Sequence, residues 1–280
     1  MSLVRIALRI AAVEALKAAN TLVGSNVLDS ELGALDASTD GTPRTDQDKP
    51  FIAVYTDGAK AGTGEGALES SYLDVRAMTL NGATEIIFIA GIAAAMTERD
   101  EDTGATHLLG VGIPATDQAL EFHLDLVAKQ IGDALTDPDN DWADIFRNLS
   151  FRFLRIERAR TSSAEGQRMA AHQIKVVAEL IDDPARGVAL DPETPLARFL
   201  AKAATSPDPD IVEQATQMCA VIGGADADWK ALQRHHGMAQ AELLALGLGP
   251  MAADVERTTP PFTLGTIEIE GTDNSATVEP

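Results

Sequence analysis

Apolar positions recur along this chain with two periods, and each change of period marks an element. Leu3, Ile6, Ile10 and Val13 stand at helical spacing, and Glu14 and Lys17 interrupt the apolar run. That pattern predicts an amphipathic helix belonging to the fold rather than a secretory leader. From Asn20 to Lys49 the chain is polar, with Val27, Leu28 and Leu32 as a short apolar anchor in a long connection. Pro50 introduces the β-prone run Phe51 to Thr56, which Asp57-Gly58 is expected to stop. Leu80-Asn81-Gly82-Ala83 carries the Asn-Gly pair of a two-residue hairpin turn, so Tyr72 to Leu80 and Ala83 to Ala93 are expected to fold back on each other. Within the second arm, Glu85 to Ile92 is apolar on both faces, as in a central strand. Thr97 to Gly104 is acidic and polar and reads as a solvated loop. Leu120, Leu124, Val127, Ile131 and Leu135 then make the clearest helical stripe, with Thr116 placed to cap its start.

The stretch Asp144 to Ile181 organises the rest. A short apolar run with Ile145 and Leu149 leads into Phe151-Arg152-Phe153-Leu154-Arg155-Ile156-Glu157-Arg158. After a polar loop with Ser162, Ser163 and Gly166 comes the β-branched run Ile174 to Ile181. Two strand-like runs joined by a polar loop predict one long antiparallel pair. Past Asp182 to Gly187 the period becomes helical. Thr194-Pro195 opens one helix with Leu196, Phe199 and Leu200, Asp208-Pro209 opens another through Ile222, and Trp229 to Leu246 reads as a third. Pro260 to Glu270 is either a strand offered to another chain's sheet edge or a frayed terminus. The expectation is an α+β fold: a mostly antiparallel sheet packed by the N-terminal helix and the long central helix. Residues 1–187 form its core, 188–255 a helical extension and 256–280 an extended tail.

Charge narrows the function classes. A formal net charge of -21 and a pI near 4.5 argue against membrane binding or nucleic-acid recognition, since both surfaces are anionic. Acidity by itself also serves solubility. Against that background Arg147, Arg152, Arg155, Arg158, Arg160 and Arg168 concentrate positive charge around one strand, which suits contact with an acidic surface on a neighbour or a second copy. The single cysteine, Cys219, excludes an intrachain disulfide framework and lies in an apolar helical pattern, as a buried thiol would. No stretch reaches the roughly 18 uncharged apolar residues of a membrane span.

Candidate chemistry is sparse. Gly62, Gly64 and Gly66 lack the spacing and the following helix of a dinucleotide fingerprint. Asp137-Pro138-Asp139-Asn140-Asp141 resembles half a calcium loop, but Trp142 stands where the turn glycine belongs and Asn148 where the bidentate acid would be, so a helix cap at Asn140 or Asp141 accounts for the same residues. His107 and His123 flank the start of the long helix and read as structural. Phosphate-loop, nucleophile-elbow, zinc-protease and paired-cysteine motifs are absent. No catalytic residue, metal or cofactor is therefore expected, and the chain reads as an assembly protein.

The order of elements over roughly residues 1 to 185 resembles the tail terminator proteins of long-tailed bacteriophages and related gene transfer particles. The likeness rests on LRIAAVEAL, PFIAVYTDG, EIIFIAGIA, DQALEFHLDLVAKQIGDAL and DIFRNLSFRFLRIERARTSSAEG leading into HQIKVVAEL; the helices after Asp191 are additional to the compact family form. The resemblance implies a subunit that closes into a six-membered ring on the head-proximal end of the tail tube, stops tube polymerisation and docks to the neck. Its partners would be copies of itself, the major tail tube protein and the neck or connector proteins, in a virion assembled in the host cytoplasm. A ring needs two complementary patches per subunit. Arg147, Arg152, Arg155, Arg158 and Arg160 are candidates for one, and Glu98, Asp100, Glu101 and Asp102 for the other. Another head-to-tail joining or neck protein fits the same pattern. An enzyme or small-ligand binder would instead require an enclosed cleft lined by His107, His123 and acids.

Overall fold

The computed structural model describes residues 2–30, 50–60, 78–92, 94–99, 106–112, 116–162, 168–223, 228–247, 265–268 and 275–278. The chain divides into two compact units. The larger is an α+β unit built on a five-stranded sheet. Its elements are α1 (Leu3–Ala18), β1 (Val27–Asp29), β2 (Pro50–Lys60), β3 (Ala83–Ile92), α2 (Gln118–Thr136), α3 (Asp141–Asn148), β6 (Ser150–Ser162), β7 (Arg168–Leu180) and α4 (Pro195–Ala203), with most of α5 (Pro209–Ile222) and the separate pair β4 (Ala94–Arg99) and β5 (Thr106–Gly112).

The sheet runs β1-β2-β3-β7-β6, with β1 parallel to β2 and every other neighbour antiparallel. The register brings Val54, Phe88 and Ile174 into one row and Ile86 beside Val176 in the next. These residues share a face because side chains alternate across a strand. They are all buried, as are Leu124, Val127 and Ile131 of α2, which packs on β3 and β7. Full burial of a side chain such as Phe88 contributes about 2 kcal/mol. On the opposite face Phe51 lies over Gly91, where an added Cβ would come within 2.7 Å of the ring.

The long pair expected from Asp144 to Ile181 is present as β6 and β7. The expected hairpin at Asn81-Gly82 is not, because β3 has β2 on one side and β7 on the other and leaves no edge for an arm at 72–80. Of that arm, residues 72–77 lie outside the described residues and 78–80 are not strand. Gly82 alone takes positive φ (55°), whereas Asn81 is buried and its side chain donates to the Ile181 carbonyl at 2.7 Å and to Asp183 at 3.2 Å. Asp57-Gly58 does not stop β2 either. It sits in a register shift between Thr56 and Ala59, beyond which pairing with β3 resumes. Val27 to Asp29 adds an edge strand where a connection was expected, and Thr97 and Glu98, placed in a loop by their polarity, pair with Leu108 and His107 across β4 and β5. The glycine-bearing segment 61–77 lies outside the described residues.

Helix α1 is more deeply buried than an amphipathic surface helix, with Val4, Ala7, Leu8, Ile10, Ala11, Ala12, Val13, Ala15 and Leu16 all inside. Its small residues let α2, α3 and the β1–β2 edge pack around it. Helix α2 is capped by Asp117, which accepts from the Leu120 N–H at 2.9 Å, rather than by Thr116. Asn140 caps α3, accepting from the N–H groups of Trp142 (3.1 Å) and Ala143 (3.2 Å), while its amide donates to the Ala15 carbonyl at 3.0 Å and ties α3 to α1. Helix α4, which lies beyond the sequence boundary at residue 187, packs on α1 and α3 within the larger unit. On α5 the buried positions are Ile211, Ala215, Met218 and Ile222. Cys219 falls one residue off that stripe and is exposed, contrary to the expectation of a buried thiol.

The smaller unit holds α6 (Asp228–His236), α7 (Gln240–Ala245) and the hairpin of β8 (Gly265–Glu268) and β9 (Ser275–Val278). The expected single helix Trp229 to Leu246 is broken at residues 237–239, and Glu242 accepts from the Ala239 N–H at 2.6 Å to start α7. Leu243 is buried there and Leu246 exposed. Among the described residues, no helix is long and apolar enough to cross a membrane.

Candidate functional site

Strand β6 is the edge of the five-stranded sheet, and its sequence makes it an unusual edge. All residues from Phe151 to Arg160 are exposed, including Phe151 (73%), Phe153 (45%), Leu154 (47%) and Ile156 (50%). A long edge that presents large apolar side chains is a template for association unless it is blunted by charge or bulges. Two register shifts leave Phe151 and Leu154 without partners on β7, since Ser150 and Arg152 face Leu180 and Glu179, and Phe153 and Arg155 face Ala178 and Val177. Such bulges bend the strand and re-aim side chains. Here both extra residues are apolar and both point into solvent.

The arginines that mark this stretch do not form one strip. By register, Arg152 and Arg155 share the outer face with Glu179 and Lys175, whereas Arg158 and Arg160 share the inner face with Ile174 and His172. Arg152 pairs with Glu179 (2.5 Å), Arg155 with Glu157 (2.9 Å) and Arg160 with Glu121. Arg147 lies on α3 and donates to the Leu135 and Asp137 carbonyls (2.9 and 3.1 Å), closing the C-terminal end of α2. Among the described residues, Arg158 has no ion pair, and it lines an apolar pocket under β6. The fold thus neutralises much of the strip internally and leaves its apolar side chains about half exposed or more. The exposed pairs of Arg152 and Arg155 contribute about 0 to 1 kcal/mol each, so a partner could rearrange them at little cost. Of the acidic candidates, Glu98 lies on β4 opposite His107, while Asp100, Glu101 and Asp102 lie outside the described residues.

No family model and no curated protein matches the chain.

Where β6 meets the first turn of α2, the fold brings Arg160 together with Glu121, Asp125 and His172, which the sequence did not single out. Glu121 Oε2 is shared by the Arg160 guanidinium and His172 Nε2 (3.1 Å), and His172 Nδ1 stands 3.6 Å from Asp125. His172 is buried and belongs to the inward-facing series with Ile174 and Val176. That alternation is its only trace in sequence. Burial pushes the Glu121 carboxyl up, but the nearby Thr116 hydroxyl, the His172 hydrogen bond and the Arg160 charge outweigh it and hold the group below its ordinary value. Glu121, Asp125 and His172 each offer a ligand atom within 4.8 Å of the others. A guanidinium already on the Glu121 oxygen opposes a second cation there, and the arrangement acts as an ionic clamp between α2, β6 and β7. His123 is half-buried and outside this cluster, and the side chain of His107 lies outside the described residues.

A carboxyl depressed on folding stabilises the fold above its unfolded pKa, and that contribution is lost as pH falls through the folded value. Glu121→Gln is therefore expected to cost about 2 kcal/mol at neutral pH, as for a charged hydrogen-bonding group removed from its partners. The difference from the parent should shrink as pH falls below about 4. Urea denaturation at several pH values checks this; a pH-independent difference would show that ionisation of Glu121 contributes nothing.

Proposed function

We propose that this protein is a structural subunit that assembles with copies of itself into a ring, acting as a tail terminator at the head-proximal end of a phage or gene transfer particle tail tube. The observation that carries the assembly reading is β6, a thirteen-residue edge strand on which Phe151, Phe153, Leu154 and Ile156 are each 45% exposed or more. The resemblance in element order over residues 1 to 185 supports the more specific role. In this reading the ring ends tube polymerisation and presents a face to the neck, and its partners are the tube protein and the neck or connector proteins. A heterologous contact that closes on itself makes such a ring.

Light scattering on the purified chain should give the mass of a closed oligomer, with annular particles in electron micrographs. Phe151→Glu with Leu154→Glu places charge on the two unpaired bulge residues, which leaves the ladder to β7 intact. The doubly substituted chain should keep its fold by circular dichroism and lose the oligomer. A parent chain that stays monomeric at high concentration, or a doubly substituted chain with unchanged mass, would overturn the assembly reading. Particles produced without the protein separate the roles: overlong tails indicate a terminator, and normal tails detached from filled heads indicate a neck-joining protein.

A further inference from the structure

Beneath β6 lies an apolar socket of about 170 Å³, walled by Ile131, Leu135, Phe146, Phe153 and Ile156 and open along the exposed strand. One wall holds Gly132, in the interior of the nineteen-residue helix α2. A glycine there destabilises the helix by roughly 1 kcal/mol relative to alanine. Gly132 is exposed, and a Cβ there would meet no atom within 4 Å, so no close approach among the described residues requires the glycine. The missing side chain leaves room for something else. An apolar cavity of roughly 150 Å³ is large enough for a benzene ring.

Charge points to the occupant. The charged residues in the socket wall are Arg147 and Arg158, on a chain whose net charge is -21. Phe122 is a 67% exposed aromatic on α2, three residues before the exposed Asp125, with Leu126 exposed one turn on. Ten residues separate Phe122 from Gly132, about 15 Å along the helix axis. A subunit cannot fill its own socket with that ring. A neighbour can, and a knob near one end of α2 with a socket near the other is the asymmetry a head-to-tail contact requires.

We propose that Phe122 of one copy inserts into the socket beside Gly132 of the next, with Asp125 facing Arg158. This rests on the assembly reading above and specifies which surfaces meet. Phe122→Asp removes the knob and Gly132→Leu fills the socket, and each should weaken self-association by at least about 30-fold, the effect of losing a buried aromatic anchor. An equimolar mixture of the two retains one good knob and one good socket, and should recover a dimer containing one of each by light scattering. Gly132→Ala should raise the melting temperature of the subunit while weakening association several-fold, a pairing that general damage to the fold would not produce. If the parent chain assembles but these substitutions leave its mass unchanged, or the mixture yields no dimer, the knob and socket are wrong and the assembly reading stands. If the parent chain never assembles, both fall.

Discussion

Phe199→Ala is expected to lower the stability of the larger unit by about 3 to 5 kcal/mol, the range for a large aromatic removed from a packed core. Phe199 is fully buried on α4 and meets Trp142 of α3 edge-on, with ring centroids 6.1 Å apart. Lys202 lies over the same indole and pairs with Asp141 at 2.8 Å, and Arg198 pairs with Asp144 at 2.8 Å. The Lys202 hydrogen bond and charge hold the Asp141 carboxyl below its ordinary value. These pairs are exposed, however, and removing either cation should cost under about 1 kcal/mol. The contrast tests whether α4 is a cover for α1 and α3 or an appendage. Urea midpoints for Phe199→Ala, Arg198→Ala and Lys202→Ala provide it, and a loss below about 1 kcal/mol for Phe199→Ala would make α4 an appendage. With a typical domain stability of about 5 to 15 kcal/mol, the expected loss is a large share of the whole.

Asp183→Ala should cost about 3 kcal/mol, because one carboxylate there serves several donors at the start of a buried helix. It accepts from the N–H groups of Leu3 and Val4 (both 3.0 Å), from the Ser2 hydroxyl (2.9 Å) and from the Asn81 amide (3.2 Å). Ser2 in turn caps α1 by accepting from Arg5 N–H at 3.1 Å. Free N–H groups at a helix N-terminus favour a negative charge, and leaving them without an acceptor in a part-buried site costs more than the bond itself contributes. Asp183→Asn retains an acceptor but not the charge and should lie between the parent and Asp183→Ala. Equilibrium denaturation gives the energies, and hydrogen exchange in α1 should quicken in the alanine variant. Equal stability of parent and Asp183→Ala would show that water satisfies those donors equally well.

Both sites lie where sequence reasoning saw something else. Asp182-Asp183-Pro184 reads as the end of a domain, and it is also the anchor of the first helix. The residues involved are about 180 positions apart, and no local pattern connects them. Asn81-Gly82 carries a strong hairpin signal, yet β3 finds its partners in β2 and β7 and the Asn81 side chain is drawn into the same anchor. A turn propensity of this kind was outweighed by pairing at both edges of a central strand. Thr116 and Asp117 are adjacent residues that can both cap a helix, and it is Asp117 whose carboxylate reaches the Leu120 N–H. Cys219 missed burial by one position on a helix whose stripe is legible once Ile211, Ala215, Met218 and Ile222 are known to face inward.

By itself the sequence determined the elements whose period is long and uninterrupted: α1, the stripe of α2, the central strand β3 and the antiparallel pair of β6 and β7. Periodicity is enforced residue by residue, so burial of one face can be read before any partner is known. It also determined that positive charge gathers on β6. Tertiary structure alone decided that the arginines divide between two faces and are largely paired, that Glu121 and His172 meet across 51 residues, and that the apolar side chains of β6 stay about half exposed or more with a socket beneath them. Those outcomes depend on register, bulges and the order of strands in the sheet, which follow from contacts between distant segments.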